Sequence, residues 1–391
     1  MNTIRNLFQP RTIYYAGTAA ARIYLKKKSR FLYNQTRSMA LHQIAHGEKE
    51  SFHSVVAEAV NSIATHPAVD EIHGLEDWLK KLFTHNLSGG KAARGQTVVM
   101  AYEMLEEPTK ITDEAMKLAR TLGGCVEMFQ AHVVIIDDMM DGSMKRRGKP
   151  CWHLMPEVGT SCALNDSILV QSGISYVMRK YFRDQPNYSD MMDSINETLL
   201  YSAFGQFLDL KTSESHRSSK DYNNFTPVRY LTIIKYKTAY YTYDLPIYLG
   251  FLLTGNKLNW ETRKQVQELS LDLGTLFQIQ DDFIDCYSDE TLTGKAGTDI
   301  QEGKCSWLAV NALQRCNESQ RIVFNACYGS KEPAHIERIK RLYDQLMLPD
   351  LYKQVERSSY DDMLEKIKKL PSEEWQRLFN KMLGITYGRK K

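Results

Sequence analysis

The hydrophobic residues of this chain recur at intervals of three and four, the spacing of α-helices that bury one face. Two long runs carry the pattern most clearly, and each leads directly into a group of acidic residues. No alternating runs joined by a tight-turn pair such as Asn-Gly occur. The pattern therefore predicts an all-α protein. The apolar positions of the two runs are Leu118, Leu122, Cys125, Val126, Phe129 and Val133, and then Val266, Leu269, Leu273 and Leu276.

The chain from residue 48 onward contains no segment with the composition of a linker. The glycines and prolines, 22 and 11 in the whole chain, are dispersed and leave room between them for helices of several turns. No internal repeat of fixed period is present apart from two acidic clusters. No run of about 18 apolar residues occurs, so no transmembrane helix is predicted. We therefore interpret residues 48–391 as one large helical domain.

Residues 1–47 differ from the rest of the chain in charge. They contain eight lysines and arginines and no aspartate or glutamate, whereas the remainder contains 42 basic and 47 acidic residues. An acid-free, arginine-bearing start with scattered apolar residues is typical of an organelle transit peptide. We predict a mitochondrial targeting segment; the alternative is a cytoplasmic protein with a disordered basic tail. The net-acidic remainder argues against nucleic-acid binding.

The seven cysteines are scattered along the chain, and no two of them form a C-x-x-C pair. This arrangement is not that of a structural zinc site or a disulfide framework, and it is typical of a protein in a reducing compartment. We therefore assign the cysteines no part in the chemistry of the protein.

Two acidic clusters of the same form, D-D-x-x-D, end the two apolar runs. Asp137 and Asp141 are four residues apart and share one helical face, as do Asp281 and Asp285. Carboxylates beside apolar segments are costly to bury without a cation, and Mg²⁺ prefers oxygen ligands that it shares with substrate phosphates. A single cluster is equally well interpreted as a solvated helix end, but its repetition favours metal. We therefore predict that the two clusters hold one diphosphate through bridging ions.

Basic residues that could bind phosphate groups surround these clusters in the sequence. Gly89 and Gly90 allow close backbone approach to a ligand, and Lys91 and Arg94 follow on one helical face. The segment is not a Walker A loop, because the Gly-Lys-Ser/Thr ending is missing. The other candidates are Arg146, Arg147, Lys235, Lys237, Lys295 and Lys304. Together they match a site for two diphosphates, one bound through metal and one held by cations directly.

The motifs, in this order, resemble those of the farnesyl diphosphate synthases, the trans-type short-chain prenyltransferases. The resemblance runs from about Trp78 to Lys391. It implies an all-α isoprenoid synthase bundle with a deep central pocket, usually a homodimer, that condenses an allylic diphosphate with isopentenyl diphosphate. The elements are Gly89-Gly90-Lys91-x-x-Arg94-Gly95, Gln130, Asp137-Asp138-x-x-Asp141, Arg146-Arg147-Gly148, Gly205-Gln206-x-x-Asp209, Lys235-Tyr236-Lys237-Thr238, Phe277-Gln278-x-Gln280-Asp281-Asp282-x-x-Asp285, Thr293-Gly294-Lys295 and Lys304-Cys305-Ser306-Trp307.

The resemblance also implies a role for each matching residue. The residues that would coordinate three Mg²⁺ ions around the allylic diphosphate are Asp137, Asp141 and Asp281. Those that would hold the same diphosphate directly are Arg146, Lys237 and Lys295, with Lys304 as a further substrate-binding candidate. Those that would bind isopentenyl diphosphate, beneath a closing basic C-terminus, are Lys91, Arg94, Gln130 and Arg147. Those that would lie near the developing carbocation are Lys237, Thr238 and Gln278.

The sequence departs from the family one helical turn before Asp137, where farnesyl synthases of animals usually carry two adjacent aromatic residues. His132 and Val133 occupy these positions, and we predict that their smaller side chains deepen or reshape the part of the pocket that limits product length. Phe207 stands where threonine is usual and could offset the space opened at Val133. We expect farnesyl diphosphate as the product, whereas an uncompensated cavity would favour geranylgeranyl diphosphate.

Two other functions are compatible with parts of this pattern. A terpene synthase would use the same fold and acidic clusters to ionise one geranyl or farnesyl diphosphate to a hydrocarbon or alcohol, with no second diphosphate. The basic residues Lys91, Arg94 and Arg147 favour condensation, while the altered positions 132 and 133 keep the terpene synthase open. An inactive regulatory subunit is disfavoured, because such partners often lose the acidic ligands that both clusters keep here.

Overall fold

The structure, a computed structural model, describes residues 52–288 and 297–389. Within these ranges the backbone is almost entirely helical, and the strands form one two-stranded antiparallel ribbon, β1 (Lys145–Arg146) with β2 (Lys149–Pro150). The predicted all-α fold is therefore confirmed. The targeting segment predicted at 1–47, Lys295 and the last two residues lie outside the described residues.

Most connections between helices in the described ranges are short, and some contain a 3₁₀ turn; the β-ribbon lies in a longer one, residues 142–158. No helix in the described ranges is long and apolar enough to cross a membrane. A π-helical segment (Lys235–Asp244) directly joins the helix that ends at Ile234 to the helix that begins at Leu245. In chain order the helices are α1 (52–64), α2 (Leu75–Leu87), α3 (Ala93–Leu105), α4 (Asp113–Asp141), α5 (Gly159–Phe182), α6 (Tyr188–Ser219), α7 (Pro227–Ile234), α8 (Leu245–Leu253), α9 (Trp260–Tyr287), α10 (Asp299–Glu302), α11 (Trp307–Arg315), α12 (Glu318–Cys327), α13 (Pro333–Gln345), α14 (Leu348–Ile367) and α15 (Glu373–Thr386).

Helix α4 carries the first acidic cluster at its C-terminal end. At its N-terminus the Thr112 side chain accepts a hydrogen bond from the Ala115 amide, which satisfies one of the amides that have no partner within a helix. Gly142 ends the helix in the left-handed conformation, φ 63°, where a residue without a β-carbon is favoured. This stop leaves Asp137 and Asp141 in the last two turns of the helix.

Helix α9 carries the second acidic cluster and contributes to both apolar cores of the protein. Leu273 and Leu276 belong to a core shared with α3, α4 and α8. Ile279 belongs to a second core, shared with α11, α12 and α13. Because buried apolar contacts hold the helix in both cores, Asp281 near its C-terminal end has a defined position.

The π-helical segment belongs to one continuous helix that runs from residue 227 to residue 253. Hydrogen bonds in the segment span five residues, as from the Leu245 amide to the Tyr240 carbonyl oxygen. Pro246 follows directly. A proline ring clashes with the carbonyl group four residues earlier in a regular α-helix, so the wider turn gives this ring room. Such turns are frequent at functional sites.

Candidate active site

A cavity of about 1060 Å³ is lined by α4, α6, α9 and the π-helical segment. Asp137 and Asp141 reach it from α4, and Asp281 and Asp285 reach it from α9. The structure thus brings both acidic clusters to one cavity. Its walls also carry apolar side chains, so it suits a ligand with a charged head and a hydrocarbon body. The apolar lining includes Val133, Val134, Ile136, Leu199, Ala203, Ile233 and Phe277.

Two lysines neutralise the first cluster and meet at a third carboxylate. Lys237 Nζ lies 3.0 Å from Asp137 Oδ1, and Lys304 Nζ lies 2.7 Å from Asp141 Oδ1. The same two ammonium groups lie 2.6 and 3.1 Å from Oδ2 of Asp209, a buried residue of α6. Asp209 therefore holds the two lysines next to each other and offsets their mutual repulsion.

Burial and ion pairing together determine the charge of these groups. Burial alone would raise the pKa of Asp137, but Lys237 and Lys304 outweigh it and hold that pKa well below its usual range. Burial alone would lower the pKa of Lys237, but Asp137 and Asp209 raise it well above its usual value. The pKa of Asp141 is raised, by burial and by the charge of Asp137. Asp137 and Lys237 are therefore an ion pair at neutral pH.

Arg146 is fixed beside the first cluster by the carboxylate of Asp138. Its Nε donates a hydrogen bond to Asp138 Oδ1 at 3.0 Å, its Nη2 pairs with the same carboxylate, and Nη2 lies 3.7 Å from Asp137 Oδ2. In the ribbon, Arg146 pairs with Lys149. Two-point hydrogen bonding between guanidinium and carboxylate is directional. Asp138 therefore orients Arg146 into the cavity that it lines.

The second cluster meets the C-terminal end of the described chain. Arg389 Nη2 lies 3.3 Å from Asp281 Oδ1, and its guanidinium Cζ lies 3.9 Å from the centre of the Phe277 ring. Guanidinium groups at such distances over an aromatic face are attracted by the ring quadrupole. The C-terminal arginine thus covers one of the acids expected to bind metal.

Asp282 connects α9 to three other parts of the site. Its Oδ2 accepts hydrogen bonds from the Tyr230 hydroxyl and the Trp307 amide, each at 2.7 Å. Its Oδ1 accepts one from Gln278 Nε2 at 2.8 Å, and Gln278 Oε1 accepts one from Thr238 Oγ1 at 3.0 Å. Burial raises the pKa of Asp282 to about 7 despite these donors. The chain of hydrogen bonds orients Thr238 and Gln278, both of which line the cavity.

Arg94 and Gln130 line the same cavity. The Arg94 guanidinium donates hydrogen bonds to Thr242 Oγ1 at 3.2 and 2.9 Å, and its Cζ lies 4.7 Å from the centre of the Tyr241 ring. Within the described residues, the buried Oε1 of Gln130 accepts no hydrogen bond. A buried polar atom without a partner is costly, so Gln130 is suited to a ligand that brings a donor.

Lys91 and Arg147 do not line the cavity. Arg147 Nη1 donates a hydrogen bond to the Ser88 carbonyl oxygen at 3.3 Å. A β-carbon placed on Gly90 would lie 2.9 Å from the Arg147 Cζ, so the guanidinium lies directly over the loop before α3. Lys91 is exposed in the same loop. The two residues therefore lie near each other at this loop, outside the cavity walls.

Lys235 also lies away from the cavity. Its Nζ is 5.2 Å from the centre of the Tyr236 ring and 5.8 Å from that of Tyr240, distances typical of cation–π contacts. Lys237, two residues later, lines the cavity instead. Lys295, the remaining basic candidate, falls outside the described residues.

His132 and Val133 line the cavity one turn before Asp137. His132 Nδ1 lies 2.8 Å from Ser167 Oγ and 3.0 Å from the Ser167 carbonyl oxygen on α5. Burial lowers the pKa of His132. Phe207 lines the cavity too, but it is 61% exposed. Its ring is therefore not packed into the space beside Val133.

Asp209 and Arg389 contact the charged groups of the site, although sequence reasoning did not select them as site residues. Asp209 belongs to a family motif, which was its only signal. Its position becomes clear only where Lys237 and Lys304 converge on it. Arg389 belongs to a basic end that was expected to close over the site, but nothing in the sequence links it to Asp281.

The carboxylates of the cavity have the chemistry of a magnesium site that shares ligands with its substrate. Within residues 52–288 and 297–389, no three or more histidine, cysteine, aspartate or glutamate side chains are grouped closely enough to hold a metal ion unaided. The oxygen-only donors of Asp137, Asp141 and Asp281 nevertheless fit Mg²⁺, which usually takes one or two carboxylates and completes its coordination with water and phosphate oxygens.

The fold and the paired acidic clusters define the class of the protein. The sequence profile of the polyprenyl synthetases matches residues 76–346, a range that contains both clusters. The chain belongs to the polyprenyl synthetase family.

Individual relatives narrow the comparison to farnesyl diphosphate (pyrophosphate) synthases. The chain is 36% identical to farnesyl pyrophosphate synthase of Panax ginseng, over 88% of this chain and 99% of that protein. It is 35% identical to farnesyl pyrophosphate synthase 1, mitochondrial, of Arabidopsis thaliana, over 88% of each. It is 32% identical to the solved structure of T. brucei farnesyl diphosphate synthase in complex with risedronate, with a TM-score of 0.82 over 88% of this chain and 99% of that one. The predicted family and isoprenoid synthase fold are therefore confirmed.

Proposed function

We propose that this chain condenses dimethylallyl or geranyl diphosphate with isopentenyl diphosphate to make farnesyl diphosphate. The observation that carries the proposal is the single cavity in which carboxylates from two helix ends meet lysines and arginines beside apolar walls. The charged groups suit diphosphates, and the apolar walls suit a growing hydrocarbon chain. The farnesyl diphosphate synthases among the relatives support this product.

We propose Mg²⁺ as the cofactor, held by Asp137, Asp141 and Asp281, with three ions expected from the family resemblance. The support is chemical: all three side chains offer only oxygen donors and line one cavity. When bound, Mg²⁺ would neutralise the negative charge of the allylic diphosphate and so make it a better leaving group.

Arg146 and Lys237 are proposed to bind the allylic diphosphate, together with Lys295. The two described side chains lie on either side of Asp137 and carry fixed positive charge in a largely buried site. As the allylic C–O bond breaks, negative charge grows on the leaving oxygen, and preorganised cations stabilise that charge most strongly where water is excluded. Lys304, anchored by Asp141 and Asp209, supplies a further cation.

Thr238 and Gln278 are proposed to face the carbocation that this cleavage leaves behind. Such a cation reacts with water, so it needs a dry pocket and fixed dipoles until it is captured. The hydrogen bonds that link Thr238, Gln278 and Asp282 hold these dipoles in place. The double bond of isopentenyl diphosphate then attacks the cation, and loss of one proton, with the released diphosphate as the base, forms the product.

Arg94 and Gln130 are proposed to bind isopentenyl diphosphate. Arg94 is held in the cavity wall by Thr242, and the buried Oε1 of Gln130 has no hydrogen-bond donor within the described residues. Lys91 and Arg147 are expected to join them from the loop before α3 once substrate is present. The basic C-terminus would then close over this second diphosphate.

We propose that the protein is a homodimer formed through α5 and α6. Leu164 and Ile168 are one turn apart on α5, Leu200 and Phe204 are one turn apart on α6, and each is more than half exposed. Exposed apolar stripes are typical of protein–protein interfaces. Analytical ultracentrifugation should show a dimer for the wild type and a monomer for the Leu200→Lys/Phe204→Lys double variant. A monomeric wild type would contradict the proposal.

We propose that residues 1–47 direct the protein to mitochondria. The support is the acid-free, basic composition of the segment and the mitochondrial relative. Residues 1–47 fused to a fluorescent protein should label mitochondria, and the same fusion with Arg5, Arg11 and Arg22 replaced by glutamate should stay in the cytosol. Cytosolic fluorescence from the unaltered fusion would leave the cytoplasm as the location.

The deciding experiment is an incubation of the purified full chain with Mg²⁺ and geranyl diphosphate, with and without isopentenyl diphosphate. Mass spectrometry should detect farnesyl diphosphate only when isopentenyl diphosphate is present. A longer prenyl diphosphate would support the condensation reaction but contradict farnesyl diphosphate as its product. A volatile hydrocarbon or alcohol formed from geranyl diphosphate alone would instead make the protein a terpene synthase.

A further inference from the structure

The π-helical segment touches two neighbouring helices at glycines. A β-carbon placed on Gly274 of α9 would lie 2.4 Å from Ala239 Cβ and 2.6 Å from Ala239 Cα. A β-carbon placed on Gly205 of α6 would lie 2.1 Å from the Lys237 amide nitrogen. Real β-carbons essentially never approach other atoms within 3.0 Å. Both helices can therefore approach the segment this closely only because glycine stands at the contact.

We propose that Gly274 is a positioning residue for the condensation reaction, because its contact with Ala239 sets the spacing between the π-helical segment and α9. The inference rests on the proposed function, since the spacing matters for catalysis only if Thr238 and Gln278 face the carbocation. Ala239 directly follows Thr238, and Gly274 lies one turn before Gln278 on the same helix.

The spacing between the π-helical segment and α9 determines the length of the hydrogen bond between Thr238 and Gln278. Thr238 Oγ1 donates to Gln278 Oε1 at 3.0 Å, and Gln278 in turn donates to Asp282. A methyl group at position 274 would push the segment away from α9 next to this hydrogen bond. The bond would then lengthen or break, and the dipoles proposed to face the carbocation would lose their orientation.

Lys237 depends on the same segment from its other neighbour. The backbone nitrogen of Lys237 lies nearest to a β-carbon placed on Gly205, and the Lys237 Nζ forms ion pairs with both Asp137 and Asp209. Residues 237 and 239 are two apart on a helix and so lie on roughly opposite sides of it. A shift of the segment away from α9 would therefore press Lys237 against α6, and a displacement at Gly274 would also disturb the contact at Gly205.

A close glycine contact also occurs between two helices at positions that do not line the cavity, and it provides a steric control. A β-carbon on Gly250 of α8 would lie 2.5 Å from the Val98 carbonyl oxygen of α3, and neither residue lines the cavity. A β-carbon on Gly384 of α15 would meet no atom within 4 Å. Gly250→Ala therefore introduces a similar steric clash away from the cavity. Gly384→Ala replaces glycine by alanine without any clash.

The first test compares the three alanine variants of the full chain with geranyl diphosphate, isopentenyl diphosphate and Mg²⁺. Misplacement of reacting groups by about 1 Å can cost on the order of 100-fold in rate. Gly274→Ala should lower kcat per folded molecule about 10- to 100-fold and release part of the substrate as geraniol, because water captures the exposed cation and loses a proton. Gly250→Ala should lower the melting temperature with kcat per folded molecule unchanged. Gly384→Ala should also leave kcat unchanged, and it should not lower the melting temperature, because alanine is a better helix former than glycine.

The second test needs no substrate and separates this inference from the proposed function. In hydrogen-exchange mass spectrometry, amides of residues 235–244 should exchange faster in Gly274→Ala than in Gly250→Ala. Wild-type kinetics and exchange in Gly274→Ala would overturn the inference, as would an equal loss of kcat in Gly250→Ala. If the wild type fails to condense the two diphosphates, the proposed function falls, and the exchange comparison still decides whether Gly274 positions the segment.

Discussion

The ammonium group of Lys237 lies 2.6 Å from Oδ2 of Asp209. Lys304 approaches the same oxygen to 3.1 Å, so one carboxylate of α6 pairs with two partly buried cations from distant parts of the chain. Removing one partner from a buried charge network usually destabilises a protein by more than the intact network stabilises it, because the remaining charge is left unpaired. Asp209 is therefore expected to affect activity although it is not among the predicted ligands.

Replacing Asp209 by asparagine should lower kcat/KM for the allylic diphosphate on the order of 10- to 100-fold, because Lys237 and Lys304 would repel each other and move apart. Steady-state kinetics measures this change. Asp193→Asn, at an exposed position of the same helix, is the matched control and should behave as wild type. An unaltered kcat/KM in Asp209→Asn would show that Lys237 and Lys304 keep their positions without the Asp209 carboxylate.

Replacing Asp281 by alanine should reduce turnover by on the order of 100-fold or more, since it removes a carboxylate that is proposed to hold Mg²⁺ at the leaving diphosphate. Rates measured across a magnesium titration would test this, and chelation of metal from the wild type should abolish activity until Mg²⁺ is added back. Asp361→Ala, at an exposed site on α14, should retain full activity. Full activity in Asp281→Ala would remove this residue from the metal site.

The double substitution His132→Phe/Val133→Phe should shorten the product to geranyl diphosphate, because two rings would fill the cavity one turn before Asp137. Product analysis by mass spectrometry is the measurement. Ser167→Ala removes one of the two hydrogen-bond partners of His132, the Ser167 hydroxyl, without adding volume, and it should leave the product length unchanged. The same product from the double variant as from wild type would mean that another wall limits chain length.

The stability of the protein should depend on His132 at mildly acidic pH. Burial lowers the pKa of His132 from its usual value of 6.5, and the hydrogen bond to Ser167 offsets this only in part. The folded state therefore binds this proton less readily than the unfolded chain. The stabilising contribution is present above pH of about 6.5 and is lost as the pH falls through the lowered pKa.

Melting temperatures measured from about pH 7.5 down to about pH 5 should accordingly fall more steeply for wild type than for His132→Gln, which cannot titrate there. Parallel curves for the two proteins would show that His132 titrates alike in the folded and unfolded states.

The sequence predicted the all-α fold and both acidic clusters because each depends on local spacing. Helical periodicity places Asp137 and Asp141 on one face whatever surrounds them. It could not separate Lys235 from Lys237, since which of the two faces the cavity depends on how the π-helical segment packs against its neighbours. It could not pair Arg389 with Asp281 either, because the contact joins residues more than a hundred positions apart.

Lys91 and Arg147 show a different limit of sequence reasoning. Both match the family motif, yet the described structure leaves them at the loop before α3 and outside the cavity walls. A motif identifies which side chains can bind a ligand. Where those side chains lie without the ligand depends on the hydrogen-bond partners that the protein itself offers nearby. For Arg147 these partners are backbone carbonyl oxygens such as that of Ser88.

The carboxylates of this cavity are already paired: Asp137 with Lys237, Asp141 with Lys304 and Asp281 with Arg389, at 3.0, 2.7 and 3.3 Å. Loading the site is therefore an exchange of counter-ions. A diphosphate that draws a lysine to itself leaves an unpaired, partly buried carboxylate behind. That raises the affinity of the position for a divalent cation, and the bound cation in turn frees the lysine. The two ligands should bind with positive cooperativity, each weakly alone and both tightly together.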